Sequence, residues 1–447
     1  MLVKILSGSI LVLLFLFIFS YPSFAETNYY TVLSNFQRTG FYYTKGPIIP
    51  TLNFKLKIME NNSFNSSYGF VTDSEGNIYV PARYKLLKYS KEGIKLWEFN
   101  IEPLSSWAMY SPLVYGDRIY FTASYGTHHI LCLDLEGNLI WQKNLKMDTA
   151  SGLSFTLPPI VSNDILYVYS SMGSFSVMAF NKDTGDFLGL RNFINFPIPY
   201  LNAGGVLASN NLIFSTMTGE ISGIDLKRIF REDLTYVFGM HTLYLYRNTF
   251  QQGSNTHILT LPVLDLDNNS RTYIVVNNAE NTKEAKLLAL NEVLQKDWEV
   301  KIEGKTRGNV AVDKAGNLYF ELQNVPPKTG NVIYSYTKEG EFRWDYEYTG
   351  YDTFPNIILD SEGKLFVVGG NKVFAIESDN GIKLWEYTLD NYSQVTPILD
   401  KFGNLLVVDF RGNLYSFKGE GEYTDCKRRF YCSGNIPKHN PVVLVHG

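Results

Sequence analysis

The side chains that could do chemistry are few and scattered. Cys132, Cys426 and Cys432 are the only cysteines, too few for a disulfide framework or a cysteine-rich metal site. Cys132 lies in the apolar run Ile130-Leu131-Cys132-Leu133 and reads as an inert buried thiol. Cys426 and Cys432 bracket five residues near the C-terminus and are expected to form a disulfide in an oxidising compartment. His128-His129 offers metal-ligand chemistry, but neighbours on a strand point to opposite faces, so no shared ion is expected. Several turns of the form D-x-x-G-N present one acid each, whereas a Ca²⁺ loop needs many oxygens converging on one point. Their aspartates are expected to cap the turns instead. Asp265-Leu266-Asp267-Asn268-Asn269 is the densest acidic stretch. The chain contains no Walker loop, no Rossmann fingerprint, no H-E-x-x-H and no G-x-S-x-G. No metal is expected, and these 447 residues carry no catalytic set of their own.

The elements that hold such side chains come from a chain with a formal net charge of −4 and 15% aromatic residues. Aromatic enrichment suits packed β-structure. Mild acidity without a Lys/Arg run argues against a nucleic-acid partner. At the N-terminus Lys4 precedes the apolar run 10–19, and Ser23-Phe24-Ala25 offers small residues where a signal peptidase would cut. Residues 1–25 therefore read as a signal peptide; a retained anchor is the alternative, for which the apolar stretch is marginal. The mature protein is expected to be secreted or periplasmic, and not integral to a membrane after cleavage. Residues 26–50 read as a lead-in that packs on the first repeat.

From residue 51 to 418 one phrase recurs, clearest at DSEGNIYVPARYKLLKYSKEGIKLWEF from Asp73 to Phe99. A turn with a glycine that can take the left-handed conformation is followed by short strands. The spacing Gly-x-x-x-Trp recurs at Gly93/Trp97, Gly137/Trp141, Gly340/Trp344 and Gly381/Trp385. The turn-plus-strand half occurs eight times: EGNIYV, GDRIYF, NDILYV, NNLIFS, SRTYIV, AGNLYF, EGKLFV and FGNLLV. Repeats of this length are blades of a β-propeller, so the fold is expected to be all-β, with eight four-stranded antiparallel blades. The last copy lacks its Trp-bearing strand, while the segment around Phe54–Ile58 looks like that strand without the preceding three. An N-terminal strand is thus expected to complete the last blade, which removes an open edge. The stretch 220–269 interrupts the pattern; one irregular blade with an insertion is expected, with seven blades plus an excursion as the alternative.

The run Ala375-Ile376-Glu377-Ser378-Asp379-Asn380-Gly381-Ile382-Lys383-Leu384-Trp385 resembles the repeat of quinoprotein-type propellers, and Ala179 to Gly185 matches its first half, with Gly189 where the Trp should stand. The resemblance covers nearly all of 51–417. It implies the fold strongly and the chemistry weakly, since propellers host many functions. Quinoprotein dehydrogenases of this kind hold their quinone with adjacent cysteines, a stacking Trp and Ca²⁺. No two cysteines here adjoin and no C-x-x-C-H is present, so no cofactor is expected.

Residues 419–438 are polar and read as a linker. His439-Asn440-Pro441-Val442-Val443-Leu444-Val445-His446-Gly447 resembles the strand and turn that open the catalytic core of lipase- and esterase-like α/β-hydrolases. That resemblance implies a truncated hydrolase domain starting at 439–447, with His446 and Gly447 beginning the loop that gives a backbone N–H to the oxyanion hole. The expected function is a binding or scaffolding propeller attached to an esterase or lipase, acting on a lipid or ester substrate. A non-enzymatic scaffold that binds peptides or proteins, as in outer-membrane assembly, is the alternative.

Overall fold

The computed structural model describes residues 29–30, 40–59 and, apart from short stretches and the longer 146–157, 194–204 and 226–247, residues 69–422. The signal peptide, the Cys426 and Cys432 pair and the stretch 439–447 with His446 and Gly447 lie outside the described residues.

Every element among the described residues is a strand. Among the described residues the strands build eight larger antiparallel sheets in chain order, I (71–100), II (113–145), III (160–193), IV (205–251), V (263–303), VI (311–348), VII (357–388) and VIII (398–417), and one two-stranded sheet. Each of sheets I to VII has a core of four strands that neighbour one another in sequence order. Sheet VIII draws only three from 398–417; its fourth is Leu52–Lys57, which pairs antiparallel with Asn413–Phe417. Sheets II and V carry extra short strands, Tyr29–Tyr30 and Ala108–Met109 in II and Thr256–His257 in V. In sheet IV the stretch 226–247 falls between the third and fourth strands. This architecture is that of an all-β protein consistent with a β-propeller.

The reason for it lies in the strands themselves. Second strands such as Ile78–Ala82, Leu318–Leu322 and Leu405–Val408 are buried along their whole length. A sheet that is apolar on both faces must be covered on both, so each needs a neighbour on either side. The cores are accordingly shared between consecutive sheets: V with VI, VI with VII, VII with VIII, and I with II. One further core joins sheet VIII back to sheet I, through Leu406, Val408 and Leu414 against Ile78, Val80 and Leu87.

The lead-in takes a different course from the one its sequence suggested. It does not simply pack on sheet I. Tyr29–Tyr30 pairs with Val114 and Tyr115 of sheet II, and Phe41 bridges Leu359 of sheet VII in parallel. Gly46 then donates its N–H to Asp360 at 2.9 Å, with a Cβ-sized space beside it already filled by the Phe366 ring. Lys45 pairs with Glu362 at 3.2 Å. Thr44–Lys45 also pairs with Gly421–Glu422, so ordered pairing runs past the expected boundary at 418.

The strap from Gly40 to Lys57 therefore both seals the seam of sheets VII and VIII and supplies the last strand. A chain lacking residues 26–60 is expected to lose several kcal/mol of unfolding free energy in urea, because a paired edge and its apolar contacts disappear. An unchanged midpoint and slope would show that the array holds without it.

Candidate functional site

Among the described residues, several of the polar groups that looked capable of chemistry are engaged by the fold. Cys132 is fully buried, and burial pushes its thiol up to about 12, leaving it protonated and unreactive at neutral pH. The His129 ring is buried with Nδ1 3.2 Å from Gln142 Nε2. In the D-x-x-G-N turns both aspartate oxygens are spoken for. Asp73 accepts the N–H groups of Glu75 and Asn77 on one oxygen, and Asn77 Nδ2 and Tyr79 OH on the other. Asp313 repeats this set with Ala315, Asn317 and Tyr319. Burial, and then the adjacent carboxylate, raise the pKa of the Tyr79 and Tyr319 hydroxyls, which remain donors. Asp400 caps its turn the same way, and burial pushes its carboxyl up to about 6. Among the described residues no three His, Cys, Asp or Glu side chains gather as a metal ion would require. Asp265 starts a turn by donating its N–H to Arg271 O; the residues after it lie outside the described set.

The repeated Gly and Trp residues do come together, but not within one repeat. The indoles of Trp97, Trp141 and Trp344 each lie on the turn glycine of the following sheet. A Cβ on Gly137 would sit 2.9 Å from the Trp97 ring, one on Gly185 2.6 Å from Trp141, and one on Gly381 2.7 Å from Trp344. The indole N–H reaches the same turn: Trp97 Nε1 donates to Leu135 O at 3.0 Å, Trp141 to Lys182 O at 3.0 Å, and Trp344 to Ser378 O at 2.8 Å. On its other side the ring meets an aromatic of its own sheet, as in Tyr79–Trp97 and Tyr319–Trp344, both with centroids 5.9 Å apart. A register shift lies next to the residue opposite the Trp, at Lys88/Tyr89 and Ala375/Ile376, where a bulge bends the strand locally. Gly93 is met by Phe54 and Leu56 of the closing strand, and Trp385 donates to Pro47 O in the strap at 3.1 Å.

Sequence reasoning missed a further copy. Trp298 lies on Gly340 and donates to Lys338 O at 3.1 Å. Its own turn residue four positions earlier is Leu294, held at φ 59 with its side chain buried, so a search for Gly-x-x-x-Trp passes over it. The signal that could have found it is the Trp itself at the repeat's period.

What remains open is the outer edge. Ile94 and Leu96 in sheet I, Phe187 and Leu188 in III, and Ile382 and Leu384 in VII are large apolar side chains that face solvent. They flank the turn before the fourth strand, sheet after sheet. Fourth strands also carry ion pairs, Lys383–Glu386 at 3.0 Å in VII and Lys296–Glu299 at 2.8 Å in V. Hydrogen bonds from Lys85 and then Lys95 hold the Glu98 carboxyl well below the usual range. Charges there discourage random edge pairing while the apolar ends stay available.

The indole contact predicts a graded response. Gly316 and Gly381 both have positive φ, at 84 and 76, but a Cβ on Gly316 meets only the flexible Lys338 side chain. Gly316→Ala is expected to cost about 1–2 kcal/mol, the penalty of the left-handed backbone. Gly381→Ala adds overpacking against a fixed ring, about 1–3 kcal/mol more. Equal losses in urea titrations would mean the indole does not press on the turn.

With this geometry described, comparison with known proteins is informative about fold. A family model described as outer membrane protein assembly factor BamB matches residues 57–227, which is less than half of the chain. No curated protein matches significantly. Among solved structures, quinohemoprotein alcohol dehydrogenase from Comamonas testosteroni is similar with a TM-score of 0.60 and 11% identity, over 88% of this chain and 80% of that one. A europium-containing methanol dehydrogenase gives 0.59 and 12%, over 87% and 89%. BamB from Moraxella catarrhalis gives 0.55 and 12%, over 82% of this chain and all of that one. The chain thus has a BamB-like repeat and shares the fold of quinoprotein dehydrogenase propellers.

Proposed function

We propose that this chain is an extracytoplasmic, eight-bladed β-propeller whose work is to hold protein or peptide partners. The observation that carries this is the recurrence of exposed apolar side chains at the same place in successive fourth strands. Isolated exposed apolar residues are ordinary, but a repeated set beside guarded edges suits a partner that spans several blades. The eight-blade count is supported by the eight sheets and by the core shared between sheets VIII and I. The likeness to BamB and the matched family, described as an outer membrane protein assembly factor, favour a scaffold role and an extracytoplasmic site. Among the described residues no helix is long and apolar enough to cross a membrane.

A photo-crosslinking residue at Ile382 tests this in exporting cells. The expected result is a discrete adduct with an envelope protein, abolished by Leu384→Asp, with unfolding free energy unchanged within about 0.5 kcal/mol. Absence of any adduct at Ile382, Phe187 and Leu96 would reject the outer edge as the binding surface.

A second reading is favoured by the run 439–447. In it the propeller precedes an α/β-hydrolase, and the partner is the tethered domain that acts on a lipid or ester. A nucleophilic serine would then have to come from sequence after Gly447. Protein expressed with whatever its gene encodes after that residue should hydrolyse p-nitrophenyl butyrate, while the 447-residue form should not. A stop codon directly after Gly447 would eliminate this reading.

A further inference from the structure

The exposed apolar side chains of the outer strands are not spread evenly around the array. In sheets I to III and V to VII the fourth strand skips one residue in its ladder with the third: Leu96, Ile140, Leu188, Asp297, Arg343 and Leu384. A bulged residue is left out of the pairing, so its side chain is open to another use. In V and VI that residue is charged and bonded into the fold. Asp297 pairs with Arg271 at 3.1 Å, and Arg343 donates to Tyr319 OH at 2.8 Å and Ser378 O at 3.2 Å. In VII, I, II and III it is Leu or Ile and faces solvent.

A second exposed apolar residue stands one or two positions before each of these four: Ile382, Ile94, Leu139 and Phe187. Sheet VIII breaks the repeat, because its fourth strand comes from the strap and skips Asn53. There the strap itself brings Ile48 and Ile49 to the surface. They follow Pro47, whose carbonyl receives the Trp385 N–H as a turn carbonyl does in other sheets. All ten side chains are between 39% and 64% exposed. Shared cores join VII to VIII, VIII to I and I to II, and Trp141 on Gly185 joins II to III, so the five sheets form one unbroken series. V and VI offer one such residue each, Val293 and Phe342. The corresponding turn of IV lies outside the described residues.

We propose that this arc, from VII through VIII, I and II to III, is a track for an extended, flexible polypeptide segment that carries basic residues beside apolar ones; the track rests on the outer edge being a partner surface and specifies which part of it is used and by what. Shape favours a flexible occupant. Outer strands of a closed array form a convex circumference, on which a rigid partner touches one or two sheets. A chain that bends along it can use a pair of apolar anchors on each of five. Charge favours a basic occupant. The lysines of the arc are already met by carboxylates of the same chain: Lys45 by Glu362 at 3.2 Å, Lys91 by Glu92 at 4.0 Å, Lys95 by Glu98, Lys182 by Asp183 at 2.9 Å and Lys383 by Glu386 at 3.0 Å. Glu136 and Glu377 are exposed and have no ion-pair partner among the described residues. They share their turns with Leu139 and Ile382, and Glu377 N donates to Ile382 O at 2.9 Å. A cation beside an apolar side chain complements both features of such a turn. Each anchor adds little alone, but linked anchors act at high effective concentration, so affinity grows with the number of sheets engaged.

The test uses the exported protein and labelled synthetic peptides made of Leu-Leu-Lys units joined by Gly-Ser spacers, read by fluorescence anisotropy. Linked units are expected to bind roughly tenfold or more tightly than a single unit. Leu96→Asp combined with Leu384→Asp should weaken the linked peptide roughly tenfold, while Val293→Asp or Phe342→Asp should change it less than about twofold. Glu136→Gln combined with Glu377→Gln should weaken it and flatten its salt dependence, and Leu-Leu-Glu units should bind poorly. Urea midpoints equal to the parent's will show that these surface changes leave the fold intact. The track is overturned if linked and single units bind alike, if Val293→Asp or Phe342→Asp weakens binding as much as the arc variants, or if the Glu peptide binds as well as the Lys peptide. It is also overturned by cosedimentation with vesicles of phosphatidylethanolamine and phosphatidylglycerol, or by a dimer lost in Leu96→Asp, which would put a membrane or a second copy on the arc. In each of those cases a crosslinked adduct at Ile382 in cells would still leave the outer edge as the partner surface, whereas its absence there, at Phe187 and at Leu96 would remove both.

Discussion

The indole lying on the next sheet's turn is the contact on which the rest of the structure depends. A four-stranded sheet that is apolar on both faces has no stable existence alone, so its partner and its angle to that partner must be specified together. Apolar packing supplies the attraction but is non-directional. The Trp supplies direction. Its ring needs a backbone without a Cβ to lie on, which Gly381 provides, and its Nε1–H needs a carbonyl, which Ser378 provides. Both lie in one turn, so the ring can satisfy them in one relative placement of two sheets. Repetition of that placement bends a row of sheets into an arc, and the strap completes the arc at the place where no Trp-bearing fourth strand follows sheet VIII.

The local half of this design was legible in the residues. A turn glycine and the strand after it lie within a few positions of each other, and the period-2 alternation of Leu52–Lys57 marks a half-exposed outer strand. The pairing of that strand with Asn413–Phe417 therefore followed from two deficits at opposite ends of the chain, though its register did not. The nonlocal half was not legible. Spacing ties Gly93 to Trp97, yet the ring of Trp97 belongs to Gly137, a full repeat away, and nothing local records that. Leu294 shows why a motif search stops short: burial of its side chain compensates for a backbone conformation that usually requires glycine. The path of the lead-in was equally hidden, because edge pairing through main-chain groups leaves little trace in side-chain types.

The same accounting explains why the candidate site is a surface and not a catalytic cluster. Asp360, the acid at the turn of sheet VII, illustrates the point. One of its oxygens accepts the N–H groups of Glu362 and Lys364, and the other accepts Gly46 N and pairs with Lys364 Nζ at 2.9 Å. A carboxylate held by four donors in a turn is a structural cap, its acceptor positions already used by the fold. Tyr79 and Tyr319 of the second strands serve two of these caps. The polar residues that a functional reading would favour are those the turns have already used.

In the proposed reading, binding falls to the sheet edges, and the two edges of each sheet are protected by different physics. The outer strands carry Lys–Glu pairs whose charges make another strand's approach costly, yet leave apolar ends such as Ile382 and Leu384 uncovered. Inner strands such as Val71–Thr72, Ala311–Val312 and Ile398–Leu399 are only two residues long, too short to template a stable pairing. Leu113–Tyr115 and Ile357–Leu359 are each one residue longer, and both carry a segment of the chain's own N-terminal region. Length alone does not decide which edge takes a strand, since Ile160–Ser162 and Gly205–Ala208 are as long or longer and carry none among the described residues; how the chain's N-terminal region is routed decides the rest.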